Sequence, residues 1–239
     1  MKTVLRRSAE GSFLKDAARD LVVVIVGILA ALWLEAWWQD LADRREERQI
    51  LAGLGEEFRK NREDLVARIE NWERMISLTI ELHELSGGTI NEQTIAQFEE
   101  AQRQGIGGGG SVFFDPRHGQ LTSVINSGKL GLISKHELRA LIADWPALVA
   151  DLDFEKDGFL EQIVHMRSKS ERKYGRMWPD SRYELQAEAL MTSQEYDNEL
   201  ASWAIMLRRM KREGEVILQA TNDIIALIED ELGESWWTP

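Results

Sequence analysis

Cysteine is absent from the 239 residues, and proline occurs only four times. A chain without thiols forms no disulfide and offers no thiolate nucleophile or metal ligand. So few prolines favour long helices, because proline breaks a helix interior. Basic residues are also few: 29 Lys and Arg stand against 41 Asp and Glu, which gives a net charge of −12. This acidity argues against nucleic acid as a partner, since binding to phosphates needs clustered Lys and Arg.

Recognisable motifs of metal, nucleotide and hydrolytic chemistry are missing as well. His136-Glu137 begins like a zinc-protease motif, but Ala140 stands where the second His is required. Asp153–Gly158 begins like a calcium loop, but Val164 replaces the bidentate Glu. Neither a phosphate-binding loop nor a Gly-x-Ser-x-Gly elbow is present. We therefore predict no catalytic residue, no metal site and no cofactor.

The longest apolar segment is Leu21–Trp38, LVVVIVGILAALWLEAWW, in which Glu35 is the one charged residue. Eighteen helical residues span about 27 Å, close to the roughly 30 Å of a bilayer's hydrocarbon core. Trp33, Trp37 and Trp38 gather at one end, where indoles favour the lipid headgroups. The sequence predicts a lead at residues 1–20, a transmembrane helix at 21–38 and a soluble domain at 39–239.

Other interpretations of this segment remain open at this point. A buried core helix could be as apolar, although it would more often be apolar on one stripe. A signal peptide would share the basic start, but Trp37 and Trp38 stand where small cleavage-site residues belong. Glu35 either reaches water or lies paired in an oligomer. Gly27 and Ala31 would let two such helices approach closely.

Beyond the span, apolar residues recur at helical spacing in three long segments. These residues are Ile50, Leu54, Phe58, Leu65, Ile69, Trp72, Ile76 and Ile80; Leu138, Leu141, Ile142, Trp145, Leu148, Leu152, Phe159, Ile163 and Met166; and Leu200, Trp203, Leu207, Met210, Ile217, Ala220, Ile224, Ile225 and Ile228. Short helices are expected at 92–104, 121–126 and 183–190, and the loop Gly105–Gly110 should be flexible. We predict an all-α fold: the transmembrane helix continues into an antiparallel bundle of about four legs, with the second leg broken by that loop.

Glycines and capping residues mark the expected helix ends. Gly87, Gly128 and Gly233 should each end a helix. Asn91 should cap the second helix, and Thr192 with Glu195 should form the capping box of the last one.

Two segments resemble a known family. The first is Val24–Leu54, an apolar span followed by a charged helix, and the second is Leu121–Ile133, LTSVINSGKLGLI. Together they are similar to an uncharacterised family of bacterial single-pass membrane proteins with a Ser-Gly-x-Leu-x-Leu-Ile turn. Family members often carry Asn-Trp-Asn after the span, where this chain has Glu35–Trp38. The resemblance implies the architecture and no activity. It also implies a bacterial membrane protein, which we place in the inner membrane. Five basic residues before the span and three soon after it separately favour a cytoplasmic N-terminus, and so a periplasmic C-terminal domain.

The densest polar segment outside the expected helices runs from Asp115 to Lys129. Five of its side chains could gather around an anionic ligand: Arg117, His118, Thr122, Asn126 and Lys129. The alternative is that its polar residues satisfy backbone groups at helix ends. A second proposal concerns Trp236 and Trp237. If the bundle has an even number of legs, its last helix returns these two residues to the membrane interface beside Trp37 and Trp38. The alternative is that they cap the bundle's own core.

These observations favour a membrane-anchored helical interaction or scaffold protein. Its expected partners are the lipid bilayer and either a second copy, through the span or the first helix, or another membrane protein. The alternative is an extracytoplasmic ligand-sensing module that acts through a partner protein, and an enzyme is the third hypothesis.

Overall fold

The computed structural model describes residues 4–105, 113–174 and 184–233. Every regular element within these ranges is helical. The elements are α1 (Val4–Leu85), α2 (Glu92–Gly105), α3 (Gly119–Asn126), a 3₁₀ turn (Lys129–Leu132), α4 (His136–Tyr174), α5 (Ala187–Met191) and α6 (Gln194–Leu232). The all-α prediction is confirmed for this part of the chain. The chain divides after Ile50 into two structural units.

The first unit carries the apolar run of α1. Its large side chains are exposed along the whole run, from Leu21 at 60% to Trp33 at 70% and Trp38 at 59%. None of the apolar window is buried, which excludes a core helix packed within the described protein. By length and composition, α1 contains one segment able to cross a membrane.

The second unit is built on α4, α6 and the part of α1 that follows Ile50. Helices α4 and α6 are antiparallel: Lys135 Nζ lies 2.6 Å from Asp230 Oδ2 at one end, and the rings of Phe159 and Trp203 are 6.0 Å apart further along. Helix α1 supplies Leu54, Phe58, Leu65 and Trp72 to this core, each at most 1% exposed. These four residues of the predicted apolar stripe thus lie inside the bundle, whereas Ile80, at its far end, is 36% exposed. Self-association through the first helix stays a prediction.

Two short helices together form the broken second leg. Phe98 and Ala101 of α2 pack in a cluster with Leu82 of α1 and Tyr196 of α6. Near the opposite end of this part of α1, the backbone of α3 is bonded to Glu57. The predicted arrangement of about four legs is therefore present. The glycine-rich loop on which the break was expected falls largely on residues 106–112, outside the described ranges.

Helix ends follow the glycines. Gly87, Gly128 and Gly233 have φ values of 76°, 72° and 81°, a left-handed conformation that glycine adopts without a Cβ penalty. Asn91 Oδ1 accepts from Thr94 N at 3.0 Å, and Thr94 Oγ1 accepts from Asn91 N at 3.0 Å, which caps α2 reciprocally.

Two of the expected helix starts are wrong. The cap of α6 is Ser193, whose Oγ accepts from the backbone N–H of Tyr196. Thr192 instead donates its hydroxyl to the carbonyl of Glu188 at 3.0 Å, because it lies at the end of α5. Helix α5 begins at Ala187, later than residue 183.

Candidate functional site

Arg117, the first of the five predicted ligand residues, is held by α1. Asn61 is 1% exposed; its Nδ2 donates to the Arg117 carbonyl at 2.7 Å and its Oδ1 accepts from the Arg117 N–H at 2.8 Å. The Arg117 guanidinium lies 2.6 Å from Asp64 Oδ2, with both side chains about half exposed. Its charge is thus already paired within the chain.

The start of α3, two residues later, is held by a carboxylate. Glu57, which is 9% exposed, accepts hydrogen bonds from the backbone N–H groups of Gln120 at 2.8 Å and Leu121 at 3.0 Å. A helix N-terminus presents such groups and a partial positive charge to anions. The anion in this position is the protein's own Glu57.

The remaining predicted residues lie at the surface. His118 precedes α3, with Nδ1 3.1 Å from the Pro116 carbonyl oxygen. Thr122, Asn126 and Lys129 are exposed on α3 and the 3₁₀ turn. The contacts of Asn61 and Glu57 give this segment a structural role. The role is close to the alternative in which its polar residues satisfy backbone groups at helix ends, except that the side chains making these bonds belong to α1. Anion binding by the five residues stays a prediction.

Of the predicted interface tryptophans, Trp33, Trp37 and Trp38 are 70%, 48% and 59% exposed. The rings of Trp37 and Trp38 meet edge to face at 5.9 Å. Indoles that lie free on an apolar helix can sit at a headgroup layer. Trp236 and Trp237 lie outside the described residues, and so does their proposed return to the membrane.

A shallow cleft of about 360 Å³ lies between α1 and α2. Its lining is more apolar than polar in surface and consists of Glu81, Gln93, Ala96, Gln97, Glu100, Ala101 and Gln104. Hydrogen bonds from Gln104 and Arg103 lower the pKa of Glu100, so this carboxylate is anionic at neutral pH. Such a lining would match a small molecule that has both apolar and polar groups. Within the described ranges, no three His, Asp or Glu side chains are grouped to hold a metal ion.

The outer face of α4 and α6 is a surface that the sequence analysis did not single out. On α4 it consists of Asp151, Phe154 and Asp157, and on α6 of Ile205, Arg208, Arg212 and Val216; all seven are exposed. Phe154 is 78% exposed, more than the 70% of Trp33 on the apolar run. Large exposed apolar side chains on one side of two packed helices are candidates for an interaction surface.

A signal for this face exists in the sequence. Residues without charge recur on α4 at alternating spacings of three and four, as in a heptad pattern. They are Ala140, Ala143, Ala147, Ala150 and Phe154. The stripe runs beside the core stripe of Leu138, Ile142, Trp145 and Leu152, and it is exposed where the core stripe is buried. In the sequence, the larger apolar side chains of the core stripe dominate the helical pattern, so the neighbouring stripe of alanines is easily overlooked.

Comparison with known proteins gives no match to a family model, a curated protein or a solved structure.

Proposed function

We propose that this protein is a membrane-anchored helical interaction protein. The observation that carries the proposal is the run Leu21–Trp38, whose large apolar side chains are 46–70% exposed. So long an exposed apolar surface is costly in water and favourable in lipid. The exposed indoles of Trp33, Trp37 and Trp38 at one end suit the headgroup layer.

The interaction role rests on the second structural unit. Its core is closed by α1, α4 and α6, yet Phe154, Ile205 and Val216 remain 78%, 53% and 46% exposed on one side. An anchored domain with an uncovered apolar surface can recruit a protein to the membrane. The resemblance to bacterial membrane proteins, together with the Lys and Arg distribution, supports an N-terminus in the cytoplasm and a bundle in the periplasm.

Ligand sensing is the second candidate function, and the cleft between α1 and α2 favours it. Its lining of two glutamates, three glutamines and two alanines suits a small molecule that has both apolar and polar groups. A bound ligand there would bridge α1 to the broken second leg and so could alter the packing of α2. Mass spectrometry of the full chain released in gentle detergent separates the two functions. A co-purifying small molecule supports sensing, and a stoichiometric protein supports the interaction role.

Membrane insertion and topology are tested together. The wild type should stay in the membrane after carbonate washing and be released by detergent. A V26R/L29R variant should be found in the wash, because each Arg at a span centre costs about 2.5–3.5 kcal/mol. Since the chain has no cysteine, S8C and S77C each create a single thiol, one on each side of the span. A membrane-impermeant maleimide should label S77C and spare S8C in spheroplasts.

Two outcomes would contradict the membrane anchor, and a third would contradict only its orientation. Release of the wild type by carbonate would exclude an integral protein. A mature chain that begins after Trp38 would make the run a cleaved signal. Labelling of S8C with protection of S77C would reverse the orientation and leave the anchor intact.

A further inference from the structure

We propose that the outer face of α4 and α6 binds the same face of a second copy of this chain. The second copy is related by a two-fold axis that runs parallel to the two helices. This inference names a partner for the interaction role proposed above, but it does not require the membrane span. The pairing follows from the contacts that fix the register of α4 against α6 within one chain.

The register of α4 and α6 is set by a series of contacts. Glu155 Oε2 lies 3.9 Å from Arg209 Nη1, and the rings of Phe159 and Trp203 are 6.0 Å apart. Because the helices are antiparallel, Asp157 lies at the level of residue 207 and Asp151 at the level of residue 213. Each residue of a helix rises about 1.5 Å along the axis. Asp157 is therefore about 1.5 Å from the level of Arg208, and Asp151 is about 1.5 Å from the level of Arg212.

A two-fold axis parallel to the helices places α4 of each copy on α6 of the other and keeps the same levels. The interface is isologous, so every contact occurs twice. Asp157 then faces Arg208 of the second copy, and Asp151 faces Arg212 of the second copy. Phe154, between the two aspartates, meets α6 of the second copy between Ile205 and Val216. Apolar side chains are thus surrounded by complementary charges.

The shape of the face agrees with this pairing. Val216 of the second copy comes to the level of Ala147 and Ala150, whose small side chains leave room for it. Ile205 of the second copy comes to the level of Gly158. Of the two arginines in the contact, Arg212 pairs within its own chain with the neighbouring Glu213 at 2.7 Å, and the Arg212 side chain is 67% exposed. An ion pair with so exposed an arginine contributes little to stability and can be exchanged for a contact with a second copy.

The size of the face fits a modest dimer. About twenty residues of each helix give a footprint of about 30 Å by 20 Å, or roughly 600 Å² from each copy. A standard stable interface buries about 800 Å² per partner. Because the chain as a whole is acidic, basic partners for the aspartates of α4 are few. The arginines on α6 of a second copy provide such partners at the same levels along the helix axis.

The test measures the dimer fraction of the full chain in detergent by sedimentation velocity over a range of protein concentrations. The wild type should be dimeric, and F154E should raise the dissociation constant at least about tenfold, because the burial of an aromatic side chain is lost. The matched control is I125E, at an exposed site on α3, which should dimerise like the wild type. R208E/R212E should weaken the dimer, and addition of D151R/D157R to the same chain should restore it.

Far-UV circular dichroism and the unfolding midpoint show that each variant is folded, and all the substituted side chains are exposed. A monomeric wild type overturns the proposal. A dimer that survives F154E but is lost in G27L places the contact in the span and also overturns it. Failure of the fourfold charge reversal to restore the dimer overturns the proposed register. Carbonate extraction is measured separately, so loss of the membrane anchor is not confused with loss of this interface.

Discussion

The two parts of α1 on either side of Ile50 are both rich in apolar residues, yet they differ in how those residues are arranged. In Leu21–Trp38 the apolar side chains cover every side of the helix and are all exposed. After Ile50 they form one stripe, in which Leu54, Leu65 and Trp72 are completely buried. A stripe is satisfied by packing in a bundle, whereas a helix that is apolar all round needs an apolar solvent. The arrangement of the apolar residues separates anchor from core.

The acidic residues of the helix follow the same division. Glu35 stands within the apolar run near Trp37 and Trp38. Glu57, on the other side of Ile50, is nearly buried and accepts two backbone hydrogen bonds from α3. One acidic side chain interrupts an apolar surface, and the other holds a neighbouring helix in place.

The largest effect is expected from truncation in the buried stripe. Trp72→Ala should lower the free energy of unfolding of the bundle by about 3–5 kcal/mol, because a fully buried indole is removed and a cavity remains. Leu32→Ala, on the exposed run, should leave that free energy unchanged. Urea unfolding of the full chain in detergent, followed by circular dichroism, measures both. Equal effects of the two substitutions would contradict the division of α1.

Most of the fold could be predicted from the sequence because long helices carry their own signals. The stripes of α1, α4 and α6 repeat often enough to define a face, and Gly87, Gly128 and Gly233 mark helix ends through a conformation that favours glycine. The cap of α6 was harder to predict, because Thr192 and Ser193 are adjacent and both suit the position. Only the end of α5 decides between them, since it engages the Thr192 hydroxyl.

The candidate sites were less predictable, because they depend on contacts between distant segments. Polar density identified Arg117 and His118, but no local pattern shows that Asn61, 56 residues earlier, bonds the Arg117 backbone. Two positions in the core were missed for a similar reason. Thr221 is buried because its Oγ1 accepts from Trp145 Nε1 at 3.0 Å, and Gly214 is buried beneath Trp72. Neither a threonine nor a glycine indicates burial from the sequence alone.

A second prediction concerns two glycines inside helices that should respond in opposite ways to alanine. A Cβ on Gly214 would lie 2.5 Å from the Trp72 ring, so Gly214→Ala should destabilise the bundle by about 1–3 kcal/mol through overpacking. A Cβ on Gly158 would meet only the flexible end of Met206 at 3.4 Å. Gly158→Ala should therefore stabilise the bundle by about 0.5–1 kcal/mol, because alanine favours the helix. Unfolding midpoints of the two variants measure the difference, and a shift in the same direction for both would exclude this account of the Trp72 contact.

The smallest contrast should come from the two acidic residues of α1. Glu57→Gln leaves one oxygen where two accepted hydrogen bonds, and it removes the negative charge from the start of α3. It should lower the free energy of unfolding by about 1–2 kcal/mol. Amide hydrogen exchange should report the change locally, with faster exchange at Gln120 and Leu121. Glu35→Gln is the matched control, and it should alter neither the unfolding of the bundle nor exchange in α3. If Glu57→Gln leaves exchange at Gln120 and Leu121 unchanged, the carboxylate does not hold α3. The two parts of α1 would then no longer differ in the role of their acidic residues. They would still differ in the arrangement of their apolar residues.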